Sequence, residues 1–151
     1  MNNNRLIFVD CEAYGGCPSM GRLTELGAVT WRSETYYGDF RGVRCNSQEE
    51  KAVWENFAVW LSSAVEGRPI LVSDNPAFDW QWINDGFLRC LGDNPFGHSA
   101  RRIGDFYAGL TGDFRNSSKW KSLRVTKHDH NPVHDALGNL EAFKRILAGE
   151  R

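Results

Sequence analysis

The 151-residue sequence has no apolar run approaching the ~20 residues that a membrane-spanning helix requires. Its polar start, Met1-Asn2-Asn3-Asn4-Arg5, lacks the apolar segment of a signal peptide, so the expectation is a cytoplasmic chain with no membrane partner. Charge of one sign is also missing: 18 Lys and Arg against 19 Asp and Glu leave a formal net charge of −1, which gives no global attraction to nucleic acid. The four cysteines, Cys11, Cys17, Cys45 and Cys90, form neither a Cys-x-x-Cys pair nor a zinc-ligand spacing, so reduced thiols packed as small hydrophobes are expected. No repeat, low-complexity segment or linker interrupts the chain, and its length suits a single domain over 1–151. What the sequence does have is aromatic bulk, six Trp and nine Phe, enough for a dense core.

The run from Arg5 to Glu12 is apolar and β-branched, reads as a buried strand, and ends in two carboxylates. Asp10 and Glu12 are two apart and leave the same face of a strand. Alone, such a pair reads more readily as a strand end frayed into solvent, and the rest of the chain must decide. Ala13 to Gly21 carries glycines and a proline and reads as an irregular loop. Leu23 to Trp31 and Glu34 to Phe40 read as strands joined by a tight Arg32-Ser33 turn, which makes an antiparallel meander.

Asn46 or Ser47 suits the N-cap of a helix through about Val65, with Val53, Phe57, Trp60, Leu61 and Ala64 as its apolar stripe and Gly67 as its end. Pro69 to Ser73 is a short buried strand. Pro76 then opens a helix that presents Phe78, Trp82, Ile83 and Phe87 to the core and carries Asp79 one turn in. A loop at residues 92–97 leads to Ser99–Tyr107, a short edge strand running into a helix. Residues 116–130 are polar and basic, with Lys119, Lys121, Arg124 and Lys127 around Trp120: either a solvated loop or a strip that touches a polyanion backbone. Asn131 and Pro132 mark the start of a last helix whose stripe is Ala136, Leu140, Phe143 and Leu147. His130 precedes the cap and Asp135 lies one turn inside, so a tight entry brings both to one mouth. The pattern specifies an α/β fold: a mixed central sheet of about five strands, the three-strand antiparallel meander first, flanked by helices.

Asp10, Glu12, Asp79 and Asp135 thus fall at element ends that such a sheet gathers together, and four neighbouring carboxylates cannot all ionise without cations. Oxygen ligands without cysteine favour Mg²⁺ or Mn²⁺ over zinc. Two such ions roughly 4 Å apart would clamp the attacking and leaving oxygens of a phosphodiester. His130 would accept the proton of an attacking water, and His134 is a rival for that role. A transition-metal site from His128, His130, His134 and Asp135 is disfavoured, because Pro132 keeps His130 and His134 from being an ordinary i, i+4 helical pair.

Asp10-Cys11-Glu12, Asn75-Pro76-Ala77-Phe78-Asp79, and His130-Asn131-Pro132-Val133-His134-Asp135-Ala136 resemble, in order, the three motifs of the DEDDh (DnaQ-like) 3′-to-5′ exonucleases, and Thr24 to Val29 resembles that family's second strand. The resemblance spans Leu6 to Leu147. It implies a ribonuclease H-like fold and two-metal hydrolysis, with two Mg²⁺ or Mn²⁺ per site, that releases nucleoside 5′-monophosphates from single-stranded RNA or DNA 3′ ends. Carried over, Asp10, Glu12, Asp79 and Asp135 are metal ligands, His130 is the general base, and Ala13, Tyr14 and Gly15 hold the terminal nucleotide. Trp120 and Lys121 in the basic strip are further candidates for substrate contact, as is the pair Arg101-Arg102. Short members of the family imply a homodimer. The alternative is a binding domain on the same fold without catalysis, against which the intact five-residue set argues.

Overall fold

The structure, a computed structural model, describes residues 3–151; Met1 and Asn2, the start of the polar segment read above as unlike a signal peptide, lie outside the described residues. In chain order the elements are β1 (Leu6–Tyr14), β2 (Arg22–Thr30), β3 (Thr35–Asp39), α1 (Gln48–Ala64), β4 (Ile70–Ser73), α2 (Pro76–Leu91), β5 (Ala100–Arg102), α3 (Ile103–Thr111), a 3₁₀ turn at Lys119–Leu123, and α4 (Pro132–Leu147). The sheet order is β3-β2-β1-β4-β5. The first three strands form the expected antiparallel meander, and β4 and β5 add in parallel on the other side of β1. Among the described residues no helix is long and apolar enough to cross a membrane.

As the middle strand, β1 supplies side chains to two cores. Ile7, Val9 and Cys11 pack with Trp54, Phe57, Leu61, Ile83 and Phe87 under α1 and α2. Phe8 packs on the opposite face with Val29, Val72, Ile103, Trp120 and Leu140 under α4. At about 1.5–3 kcal/mol for each large side chain taken fully out of water, both faces of the sheet are committed. Asp10 and Glu12 continue the Phe8 face, and so are aimed at α4.

Several buried positions differ from the periodicity reading. In α1 the inward stripe is Glu50, Trp54, Phe57 and Leu61, with Trp54 only 1% exposed, while Val53 and Trp60 pack at its margin. The helix is rotated because Trp54 drops into a slot that Gly86 leaves open in α2, where any Cβ would collide with the indole. Glu50 is tolerated inside because Arg89 pairs with it at 2.8 Å and the Asn46 amide donates to it. In α4, Ile146 is buried and Leu147 is 38% exposed, reversing the expected pair. The helix α1 stops at Ala64, three residues before Gly67. Of the cysteines Cys11 is buried in the core and half-buried Cys90 packs at its margin, whereas Cys17 is half-buried and Cys45 exposed, so two thiols, not four, act as packed hydrophobes.

Candidate active site

The site is built where β1 outruns β4. Parallel pairing of the two strands stops at Phe8 and Val72, so β1 continues with an unpaired edge beyond the end of its neighbour. Such a divergence at strand carboxyl ends opens a crevice. The Cys11 amide on that edge donates to Asp79 Oδ1 at 3.0 Å, so α2, entering from the far side of the sheet, is pinned to β1 by one of its own acidic residues. On its other edge β1 pairs with β2 through a bulge between Glu12 and Ala13, and the Thr24 hydroxyl donates to the Glu12 carbonyl at 2.8 Å. The bulge fixes how Glu12 leaves the strand.

From the opposite layer α4 brings Asp135. Its N-terminus lies directly on β2, because Gly27, the cross-strand partner of Asp10, has no Cβ to collide with the Pro132 carbonyl and the Val133 amide. Asn131 caps the helix as its sequence suggests, accepting from the Val133 and His134 amides. One ligand oxygen each from Asp10, Glu12 and Asp135 then lie within 4.8 Å of one another. Asp79 does not join that group. It is 3% exposed and stands behind it, engaged with Cys11, as the strongest carboxylate neighbour of Asp10.

The electrostatics follow from that crowding. Burial first, and then the charges of Asp79, Asp135 and Glu12, push the Asp10 carboxyl up to about 9. Burial raises Asp79 to about 7 although the Cys11 amide favours its ionised form. Glu12 is raised by burial, with His130 pulling the other way. Asp135 Oδ1 accepts from the Asp129 amide at 3.2 Å, while the buried Oδ2 accepts no hydrogen bond. Crowded, buried carboxyls that resist ionisation call for a counter-charge beside them. An all-oxygen group of this kind fits a hard divalent cation.

Two imidazoles stand over the group. His130 Nδ1 is 3.6 Å from Glu12 Oε1, on a ring that is largely exposed. Its backbone is left-handed (φ +62°), a conformation that turns the chain sharply into the Asn131 cap. His128, which sequence reasoning set aside, has its Nδ1 2.6 Å from Asp135 Oδ2, unaligned for a hydrogen bond, and its ring centroid is 4.5 Å from that of His130. No spacing rule points to it, since it lies in an irregular segment. His134 does not face the carboxylates: its Nδ1 lies 2.8 Å from Asp129 Oδ2.

Ala13 and Tyr14, read as loop, are the last two residues of β1, paired with Leu23 and Arg22 beyond the bulge. Tyr14 is 59% exposed at the end of β1, two residues beyond Glu12. Gly15 (φ +83°) then turns the chain, and Gly21 closes the loop neck against the Tyr14 carbonyl, where a Cβ would not fit. The Gln81 amide holds this loop to α2 through the Gly16 carbonyl at 3.1 Å.

The basic strip requires a correction. Trp120 is fully buried, its indole N–H donating to the Ser117 carbonyl at 2.9 Å and Arg124 lying 5.0 Å from the centre of its ring. It has no face to offer a base. Lys121 is half exposed but paired with Asp74 at 2.7 Å, and Arg124 joins the same carboxylate at 3.4 Å. This charge cluster ties the 3₁₀ turn to the end of β4. Arg102 is likewise engaged, with Asp105 at 3.0 Å, whereas Arg101 is exposed on the edge strand.

No protein-family model matches the chain. It is 35% identical over 97 residues to the 3′-5′ DNA exonuclease Cap18 of Escherichia coli, an alignment covering 60% of this chain and 52% of that protein. The chain therefore spans about half the length of this curated relative. Among solved structures, a zinc-bound complex of E. coli exonuclease I with single-stranded DNA superposes with a TM-score of 0.61 at 15% identity, over 94% of this chain and 39% of that one. The same enzyme with a dT13 oligonucleotide gives 0.61 at 14% identity, over 97% and 41%. The chain thus has the ribonuclease H-like fold of exonuclease I and is similar in sequence to a 3′-5′ DNA exonuclease.

Proposed function

We propose that the chain is a divalent-metal-dependent 3′-5′ exonuclease acting on single-stranded DNA, with Asp10, Glu12 and Asp135 holding the metal directly and Asp79, behind them, reaching it through water. The observation that carries this reading is the convergence of one carboxylate oxygen each from Asp10, Glu12 and Asp135 to within 4.8 Å of one another. Mg²⁺ or Mn²⁺ bound there would neutralise charge on the scissile phosphate and favour ionisation of the attacking water. His130 stands at the solvent side of the group and takes the proton from that water. Glu12 Oε1 lies 3.6 Å from the His130 Nδ1. Tyr14 stacks against the terminal base, and the chain from Ala13 to Gly15 lines the sugar. The DNA preference is supported by the relative, a DNA exonuclease, and by the exonuclease I complexes, which hold single-stranded DNA.

The test uses a 5′-labelled single-stranded oligonucleotide with Mg²⁺ or Mn²⁺, beside matched RNA and blunt duplex. The wild type is expected to shorten single-stranded DNA from its 3′ end to mononucleotides. Asp10→Ala and Asp135→Ala are each expected to abolish the ladder while circular dichroism stays that of a folded protein. Full activity in both variants would overturn the reading.

A further inference from the structure

His128, His130 and Asp135 bring one ligand atom each to within 4.8 Å of one another, two imidazole nitrogens and a carboxylate oxygen. This group shares Asp135 with the all-oxygen group but differs from it in chemistry. Hard ions such as Mg²⁺ prefer carboxylates and water, whereas imidazole donors select zinc and its transition-metal neighbours. From this second donor set we infer a transition-metal site, with zinc as its natural occupant, that switches the nuclease off. The inference rests on the nuclease reading above.

Two independent features support it. Asp135 Oδ2 is buried, makes no aligned hydrogen bond and lies 2.6 Å from His128 Nδ1, so a carboxylate and an imidazole donor already stand together. Both rings are on the solvent side, 49% and 75% exposed, and lie side by side with their centroids 4.5 Å apart. Ligands of one tetrahedral zinc stand ~3.3–3.6 Å apart for bond lengths near 2.0–2.2 Å. The 2.6 Å gap between His128 Nδ1 and Asp135 Oδ2 must therefore open slightly, and His130 must swing inward from Glu12, both of which are ring rotations on exposed side chains. The Pro132 argument against a metal site concerned His130 and His134 as a helical pair. Here His134 is replaced by His128, two residues before His130 in the irregular segment, and no helix is needed.

Occupancy is inhibitory because it uses groups the reaction needs. The His130 nitrogen that binds the metal has no lone pair left for a proton, and Asp135 is shared between the two donor groups. Zinc would therefore act against Mg²⁺ at a separate but overlapping position, with water as its fourth ligand.

The experiment begins on metal-stripped protein without substrate. Co²⁺ is added and the visible d–d bands followed, then Zn²⁺ affinity is measured against a chromophoric chelator. One equivalent is expected to bind with a tetrahedral Co²⁺ spectrum. His128→Asn is expected to weaken Zn²⁺ binding at least ~10-fold, within the range lost when a metal site is impaired. His134→Asn is expected to leave it unchanged, because His134 is held by Asp129. In assays with excess Mg²⁺, Zn²⁺ is expected to inhibit the wild type, and His128→Asn to need at least ~10-fold more Zn²⁺ for half-inhibition of its own zinc-free rate. Zinc binding that is absent, or equally tight in His128→Asn, overturns the inference even if Mg²⁺-dependent cleavage is intact. Cleavage that is absent with Mg²⁺ while the Co²⁺ spectrum appears overturns the nuclease reading instead.

Discussion

At the scale of single residues, the molecule separates two kinds of aromatic and basic side chain that look alike in sequence. Trp120 sits among lysines and an arginine, yet it is buried to its last atom and its indole N–H is satisfied by the backbone. Trp120→Ala is therefore expected to cost about 3–5 kcal/mol in urea unfolding and to leave KM for DNA nearly unchanged in whatever fraction folds. A raised KM with full stability would restore it to the substrate surface. Tyr14 is the opposite case, exposed at the end of β1, two residues beyond Glu12. His130 can be tested more directly, since a lost general base lowers rate by ~10²- to 10⁴-fold. His130→Ala is expected to reduce kcat within that range at unchanged Mg²⁺ requirement in steady-state assays, whereas His134→Ala, whose ring pairs with Asp129, should change kcat by less than ~3-fold.

At the scale of elements, the site depends on how closely α4 lies on β2. Gly27 lets its first turn touch the sheet: a methyl there meets the Pro132 carbonyl and the Val133 amide, which are backbone and cannot swing aside. Gly27→Ala is expected to cost at least ~2 kcal/mol by denaturant unfolding, typical of an overpacked core site, and to lower activity further by moving Asp135 away from Asp10. Wild-type stability in that variant would mean that α4 is not seated as described. This also shows what was legible in the sequence. The N-cap Asn131, the Pro132 start, the meander and the ends of β4 and α2 all announce themselves through local chemistry, so every carboxylate of the group could be assigned to its element. Close approach between elements leaves a weaker trace. Gly27 and Gly86 each make room for a distant neighbour, and without the Gly86 slot the α1 stripe is misjudged by one residue, Val53 in place of Trp54. Trp120 and His128 lie in an irregular stretch without a period to read. One proves to be core, and the other stands at the site.

At the scale of the whole molecule, the carboxylate group makes the metal-free fold carry a burden that cations relieve. The Asp10 carboxyl, ordinarily near 3.8, is held up to about 9, first by burial and then by Asp79, Asp135 and Glu12. At neutral pH it is therefore protonated in the folded chain and ionised in the unfolded one, so folding takes up a proton. Stability from such a group is complete below the unfolded value and is lost as pH rises through the folded one. In EDTA, Tm is accordingly expected to fall as pH is raised from about 4 toward about 9, with Asp79, raised to about 7, adding to the slope. Asp10→Asn removes the titration and part of the repulsion, so at mildly alkaline pH it is expected to melt higher than the wild type in EDTA although it is inactive. Mg²⁺ should reverse the order. A ligand at a hundredfold excess over its Kd stabilises the folded state by about 2.7 kcal/mol, which the wild type should gain and Asp10→Asn should largely forgo. Differential scanning calorimetry of both proteins, with EDTA and with Mg²⁺ across that pH range, checks all four curves. If Asp10→Asn melts lower than the wild type in alkaline EDTA, Asp10 is not the strained member of the group and the counter-charge argument for a cation fails with it.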